Sequence, residues 1–355
     1  MHKANYQART LITLVVFVAL TVVVVACGAP AYRQQETPPQ EEQVLDALGY
    51  TKVEVLSTLA GEPLLDPAGV AVDSDGNIFV SDAAKHQIYK YSPEGRLLAE
   101  IGSQGSGAAE FTEPTALDID QAGNLYVADQ GNNRVQVLTS SGKFLRQVGS
   151  REEFAPFFAL IDGWDTPLTG VAVDVAGNIY LTLRGAYYDI SENALRKYNP
   201  SGQLIWEMKS MLEGDVDFLP FTWPAAVTVD QDGTVYMVHG ANGAGKVLKI
   251  PYDGDTILAD DALQFGNLGK EQGELMHTPQ GIAVDALGYI YVADTHNNRI
   301  QIFTPAGEWA AMIRLQGSAA GALTEPTNLT LDQAGYLYVV DKGNARVLKL
   351  SNPIR

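Results

Sequence analysis

From residue 52 onward, the hydrophobic residues come in short runs of about five, separated by turns rich in Gly, Asp and Asn. Within the runs, β-branched and aromatic residues alternate with polar ones, as in Asn124–Val127 and Ile300–Phe303. Such alternation is typical of strands that bury one face in an antiparallel sheet. Helix-favouring runs are few, so the pattern predicts an all-β fold.

The runs are organised in six similar units. A first strand ends in Asp, as in Pro67–Asp73 and Pro279–Asp285, and a Gly follows that Asp three positions later. Three further predicted strands complete a unit. Six four-stranded units predict a six-bladed β-propeller, in which radial repetition leaves only short edges. The first strands begin at Pro67, Pro114, Pro167, Pro224, Pro279 and Pro326.

The units resemble the NHL repeat, in which an Asp, a Gly-Asn turn and an apolar-Tyr-Val strand precede a second Asp and an Arg. Residues 285–300 are similar to this pattern, and the resemblance extends from residue 52 to residue 350. It implies an all-β, six-bladed propeller of the NHL type.

Two charged positions recur around the predicted ring. The position of Asp294 is also Asp in three other units, and the position of Arg299 is also Arg in two others. The two positions lie on either side of a predicted strand–turn–strand connection, so we predict a structural ion pair. His296, between them, is predicted to be a turn residue. The equivalent residues are Asp82, Asp129, Asp341, Arg134 and Arg346.

The two ends of the predicted propeller complement each other. The sixth unit stops at Leu350, after its third strand, and an unassigned strand-like segment, Lys52–Leu59, lies upstream of the first unit. We therefore expect this segment to be the fourth strand of the last blade. Closure of this kind removes an exposed sheet edge.

Blades 3 and 4 depart from the repeat. Their extra residues fall mostly in the connections before their first strands and in their turns between second and third strands, on one face. These segments are rich in aromatic and acidic residues, and long loops on a rigid scaffold commonly carry binding sites. The candidate ligand-binding residues are Phe157, Phe158, Trp164, Arg184, Tyr187, Tyr188, Phe218, Phe221, Trp223 and His239.

The N-terminal segment has a different pattern. Lys3 and Arg9 precede an uncharged apolar run over residues 11–26, and the single cysteine of the chain, Cys27, follows directly. This order is typical of a secretory signal, and Val24–Cys27 resembles the lipobox of bacterial lipoproteins. We predict a signal peptide over residues 1–26, lipidation of Cys27 and a flexible tether over residues 27–51. The propeller would span residues 52–355, anchored at the extracytoplasmic face of a cell membrane.

Composition limits the partners. The formal net charge of −18 disfavours nucleic acid. One cysteine per chain excludes an internal disulfide. The Gly-rich Gly240–Val247 lacks the Ser or Thr of a phosphate-binding loop, and Asp73–Gly76 lacks the distal Glu of a calcium loop, so both are predicted to be turns.

The sequence favours a binding module without a cofactor, a metal or an assigned catalytic residue. Its expected partner is a protein, a cationic peptide or a glycan of the cell envelope. The alternative is a metal-dependent lyase or hydrolase, similar to the peptidyl-amidoglycolate lyases or the gluconolactonases, that uses His239, His277 and channel acids. A purely structural envelope protein is the third possibility.

Overall fold

The computed structural model describes residues 52–55, 63–154, 168–185, 193–209, 221–241, 244–252, 261–275, 279–315 and 320–351. In these ranges the chain forms six four-stranded antiparallel sheets, which are the blades of a propeller. No helix within them has the length and hydropathy of a membrane span.

Blades 1 to 3 follow one another along the chain, each with its strands in sequence order. Blade 1 contains Pro67–Val72, Ile78–Asp82, Gln87–Tyr91 and Leu97–Ile101. Blade 2 contains Pro114–Ile119, Leu125–Asp129, Arg134–Leu138 and Phe144–Val148. Blade 3 contains Leu168–Val173, Ile179–Leu183, Ala194–Tyr198 and Leu204–Lys209.

Blades 4 to 6 repeat this arrangement. Blade 4 contains Pro224–Val229, Val235–Ala241, Ala244–Ile250 and Leu263–Phe265. Blade 5 contains Gly281–Val284, Ile290–Asp294, Arg299–Phe303 and Trp309–Ile313. Blade 6 contains Pro326–Leu331, Leu337–Asp341 and Arg346–Ser351, with Lys52–Val55 as its outermost strand.

Two short parallel pairs lie in the connections between blades. Ser103–Gln104 pairs with Glu110–Phe111 before blade 2, and Asn267–Leu268 pairs with Glu274–Leu275 before blade 5. Both segments therefore enter their blades as ordered backbone.

The N-terminal strand closes the ring as predicted. Lys52 is paired with Ser351 and Val55 with Leu348, in antiparallel register. Residues 56–59, which the sequence assigned to the same strand, lie outside the described residues.

The first strands form the inner wall of the ring. Each contacts the first strands of the two adjacent blades, and the first strand of blade 6 contacts that of blade 1. Some of these contacts require glycine. A Cβ atom on Gly69 would lie 2.0 Å from the carbonyl oxygen of Thr115, and one on Gly281 would lie 2.7 Å from that of Thr327. The inner strands therefore surround a central channel.

The hydrophobic core lies between the blades. Six clusters of buried side chains each combine residues of two adjacent blades, such as Ile302 with Leu329 and Val70 with Tyr338. Each blade thus buries both faces, as the strongly apolar second strands require.

The recurrent Asp and Arg form the predicted structural pair. Arg299 Nε donates to Asp294 Oδ2 at 2.8 Å, and both side chains are fully buried. The other guanidinium nitrogens donate to carbonyl oxygens of Lys270, Glu271 and Glu274, so the pair fixes the connection that enters blade 5. Equivalent pairs join Arg134 to Asp129 and Arg346 to Asp341.

The Asp at the end of each first strand holds a turn on the opposite face. Asp73 Oδ1 accepts hydrogen bonds from the backbone nitrogens of Asp75 and Asn77, at 3.0 and 2.8 Å. In blade 4, Asp230 Oδ2 accepts from the hydroxyl of Tyr236 at 3.0 Å. These carboxylates belong to the scaffold, which confirms the predicted turn at Asp73–Gly76.

Candidate functional site

We call the face that carries the turns between second and third strands the upper face. A cavity of about 390 Å³ lies at this end of the central channel, and we call it the mouth cavity. It is lined by Ala68, Thr115, Ala116, Gln130, Thr169, Arg184, Trp223, Pro224, Ala225, Ala226, Gln280, His296, Thr327, Asn328 and Lys342.

The mouth cavity is lined at positions where the blades differ. The residue that follows the second strand is Gln130 in blade 2, Arg184 in blade 3 and Lys342 in blade 6. One position earlier, four blades have a buried Asp. The scaffold positions repeat and the mouth positions vary, and this difference makes the mouth cavity the candidate site.

Three basic side chains reach the mouth cavity. Arg184 is half-buried, and burial lowers the pKa of its guanidinium. Lys342 Nζ forms an ion pair with Asp66 Oδ1 at 2.8 Å, and both side chains remain more than a third exposed. His296 is the third. The fifteen lining residues include no Asp or Glu within the described ranges, although the whole chain is strongly acidic.

An aromatic side chain in a strained conformation borders the same cavity. Trp223 has a φ of 48° and is partly exposed, immediately before Pro224. Glu113 and Glu325 occupy the equivalent position of blades 2 and 6, with φ values of 50° and 48°. The left-handed region costs a non-glycine residue about 1–2 kcal/mol. The scaffold therefore holds a bulky aromatic where a smaller residue would be less strained.

The channel continues beyond the mouth cavity. A neighbouring cavity of about 300 Å³ shares His296 and Lys342 and adds Glu325. A narrower space of about 50 Å³ lies deeper, between the six first strands, and is bordered by Asp118. Burial raises the pKa of Asp118 to about 7, although its carboxylate accepts hydrogen bonds from the backbone nitrogens of Val173 and Ile119.

Two family models match the chain. The NHL repeat model matches residues 276–303, and a model described as a 6-bladed beta-propeller matches residues 67–146. Both agree with the six blades of the structure. The chain is a six-bladed propeller with NHL repeats.

Curated relatives share short parts of this NHL propeller. The E3 ubiquitin-protein ligase TRIM71 of Rattus norvegicus is 40% identical over 76 residues, which are 21% of this chain and 9% of that protein. The peptidyl-glycine alpha-amidating monooxygenase of Mus musculus is 36% identical over 70 residues, 19% of this chain and 7% of that protein. The chain thus spans less than a tenth of the length of either relative.

A solved structure shares the fold over most of the NHL propeller. A gluconolactonase from Xanthomonas campestris superposes with a TM-score of 0.60, covering 86% of this chain and 91% of that one. The sequence identity is 15%, so the likeness shows the fold alone.

Two of the ten candidate residues belong to the core of the NHL propeller. Phe221 is fully buried and packs against His239 in an edge-on contact with ring centroids 6.3 Å apart. His239 is also fully buried, and its Nε2 lies 3.0 Å from Gln264 Nε2. Burial, assisted by the charge of Lys246, lowers the pKa of His239 to about 3. Neither side chain lies on the surface or lines the mouth cavity, and their part in ligand binding stays a prediction.

Arg184 and Trp223 are the candidates that the structure brings together, since both line the mouth cavity. The remaining candidates lie outside the described residues. They are Phe157, Phe158, Trp164, Tyr187, Tyr188 and Phe218.

The long connection into blade 3 is held at its start by hydrogen bonds to Glu153. Blade 3 has Leu183 and Ala194 in place of the structural Asp and Arg. Here Arg196 Nη1 and the Tyr198 hydroxyl both donate to Glu153 Oε1, at 3.2 and 2.5 Å. The loop start is therefore fixed by a carboxylate from the loop itself.

Sequence reasoning missed His296, Lys342, Gln130 and Gln280 as lining residues. His296 was assigned to a turn, where it does lie, in the segment Thr295–Asn297. Some of these residues lie directly beside a repeated scaffold residue. Comparing the residue types at that neighbouring position in all six blades would have indicated Gln130 and Lys342.

Among the described residues, no three His, Cys, Asp or Glu side chains converge to hold a metal ion. The described residues of the glycine-rich segment of blade 4 lie in two paired strands, with Gly240 opposite Gly245, and residues 242–243 between these strands lie outside the described residues.

Proposed function

We propose that this NHL propeller is a lipid-anchored, extracytoplasmic binding module that captures a partner at its upper face. The mouth cavity carries this proposal, because it combines a strained aromatic, hydrogen-bonding side chains and basic groups at positions where the repeat varies. A protein or glycan of the cell envelope is the expected partner.

A photo-crosslinking experiment tests the binding site in cells. p-Benzoylphenylalanine replaces Trp223, and in a control it replaces Leu287, which is 66% exposed in a turn of the opposite face. Irradiation should give a discrete adduct at position 223 and none at 287, identified by mass spectrometry. Equal labelling at both positions, or none at 223, would refute the proposed site.

Membrane anchoring rests on the N-terminal sequence. Cys27 follows the uncharged run directly, and it is the single thiol of the chain. Attachment of several acyl chains gives stable membrane association, whereas a single chain does not. Replacement of Cys27 by Ser should abolish incorporation of labelled palmitate and move the protein out of the membrane fraction. Retention of both in the Cys27→Ser variant would contradict lipidation.

Catalysis is the second candidate, as a lyase or hydrolase, because His296 places an imidazole on the wall of the mouth cavity. His239, the other histidine of the described residues considered for this role, is fully buried beside Gln264 and does not line the mouth cavity. Metal analysis of the purified protein after dialysis separates the two functions. A stoichiometric metal that is lost in His296→Gln would favour the enzyme.

A further inference from the structure

Among the described residues that line the mouth cavity, the charged side chains are the cations Arg184 and Lys342. The chain has a formal net charge of −18, whereas the described lining residues include Arg184, His296 and Lys342 and no carboxylate. Basic side chains gathered in one concave site attract anions, and low-dielectric walls strengthen the attraction.

Arg184 and Lys342 carry the kinds of hydrogen-bond donor that bind an oxyanion. A guanidinium such as that of Arg184 can donate two parallel hydrogen bonds to a carboxylate or a phosphate. The ammonium of Lys342 has three donors, so its ion pair with Asp66 leaves others for a ligand.

Trp223 adds an apolar surface to the same wall. Its ring is partly exposed, and Ala225 and Ala226 continue the wall beside it. Because the cavity is only about 390 Å³, it suits a small group rather than a long chain. A polyanion such as nucleic acid would be repelled by the acidic remainder of the molecule.

We propose that the mouth cavity binds a small organic anion, a carboxylate or phosphate group on a flat apolar body, with Arg184 and Lys342 holding the charge and Trp223 the body. This inference rests on the proposed function, of which it specifies the ligand class.

Four probes of similar shape test the charge preference. Benzoate and phenyl phosphate carry the two anionic groups, benzamide is the neutral counterpart of benzoate, and benzamidine is the cation. Their affinities for the full-length protein are measured by calorimetry in 50 and 300 mM salt. Benzoate or phenyl phosphate should bind at least about tenfold more tightly than benzamide, and more weakly at high salt. The ratio of the two anions distinguishes a carboxylate site from a phosphate site.

Matched variants locate the site. Arg184→Gln and Lys342→Gln should each weaken the preferred anion about tenfold and leave benzamide unchanged. Lys143→Gln removes the same charge from an exposed turn of the opposite face, and its affinity should equal that of the wild type. Circular dichroism confirms that the variants are folded.

The outcomes separate the two proposals. Equal binding of benzoate and benzamide, tighter binding of benzamidine, or no binding of either anion would overturn the anionic ligand. An adduct at position 223 in cells would still support the binding module in those cases. Loss of anion affinity in Lys143→Gln equal to that in Arg184→Gln would show that net charge, rather than the cavity, attracts the anion.

Discussion

At the scale of single residues, the same side-chain types serve opposite purposes. The guanidinium of Arg299 is fully buried and is satisfied by Asp294 and three carbonyl oxygens, whereas that of Arg184 borders the mouth cavity. The difference comes from position in the repeat. Arg299 begins a third strand and faces the preceding connection, and Arg184 follows a second strand and faces the channel.

The buried pair should be essential for stability. Replacing Arg299 by Gln leaves Asp294 ionised without its partner, and loss of one member of a buried pair costs about 3–5 kcal/mol. Urea unfolding of the variant should show this loss. Arg96→Gln breaks a pair with side chains 79% and 66% exposed, and the midpoint should not move measurably. Similar midpoints for both variants would show that the buried pair is dispensable.

His239 should make the molecule sensitive to acid. Its pKa is about 3 in the folded chain and about 6.5 when unfolded, so only the unfolded chain gains a proton between these values. The unfolding free energy therefore falls below pH 6.5 by up to about 1.4 kcal/mol per pH unit. In His239→Leu this contribution disappears. Urea unfolding at a series of pH values measures the difference in free energy of unfolding between the wild type and His239→Leu. This difference should rise from pH 4 to pH 6.5 and stay level above pH 7. A difference that does not change with pH would refute the proposed role of His239.

At the scale of elements, one position before the first strand has two uses. Glu113, Trp223 and Glu325 share the left-handed conformation that leads into Pro114, Pro224 and Pro326. In blade 2 the backbone nitrogen of Glu113 donates to His86 Nδ1 at 3.0 Å, which is a structural contact. In blade 4 the same position places Trp223 on the mouth cavity.

Glycine substitutions at this position distinguish the effect of backbone strain on stability from the effect of the side chain on binding. Glu113→Gly should raise the unfolding free energy by about 1 kcal/mol, because glycine adopts positive φ without strain, and should leave binding unchanged. Trp223→Gly gains the same relief but loses packing, so its stability should change little while its affinity for the anionic probes falls. The measurements are thermal melts and ligand affinity. If Trp223→Gly binds the ligand with wild-type affinity, the indole ring does not contribute to the binding site.

The strands and their register could be predicted because alternation and turn residues are local properties of the sequence. The burial of Phe221 could also have been predicted, since Leu64, Phe111 and Leu323 stand at the same distance before their prolines and are all buried. The mouth cavity could not be predicted, because its lining residues come from all six blades and meet only after the ring closes. Lys342 follows a repeated Asp, but this position alone does not show that it shares a wall with Gln280 and Arg184.

At the scale of the whole molecule, the ring depends on one strand from the other end of the propeller. Lys52–Val55 covers the third strand of blade 6, Arg346–Ser351, and leaves that strand without an exposed edge. Uncovered strand edges pair with other chains.

Truncation should expose this edge. A chain that begins at residue 56 lacks the closing strand, whereas one that begins at residue 52 retains it. The free energy of unfolding of the shorter chain should fall by roughly 1 kcal/mol for each backbone hydrogen bond lost, and its melting temperature should fall with it. The shorter chain should also self-associate through the exposed edge. Light scattering and thermal melts compare the two. Monomeric behaviour and equal melting of both chains would mean that closure contributes little.

The closing strand also sets the order of events in biogenesis. It is the first strand of the propeller to be synthesised, and its partner, Arg346–Ser351, is the last. The two strands can therefore pair only after the rest of the propeller has been synthesised. Contacts so distant in sequence form slowly. Until they do, five blades can assemble while the sixth lacks its outermost strand, and the unpaired edges of Lys52–Val55 and Arg346–Ser351 can both pair with other chains.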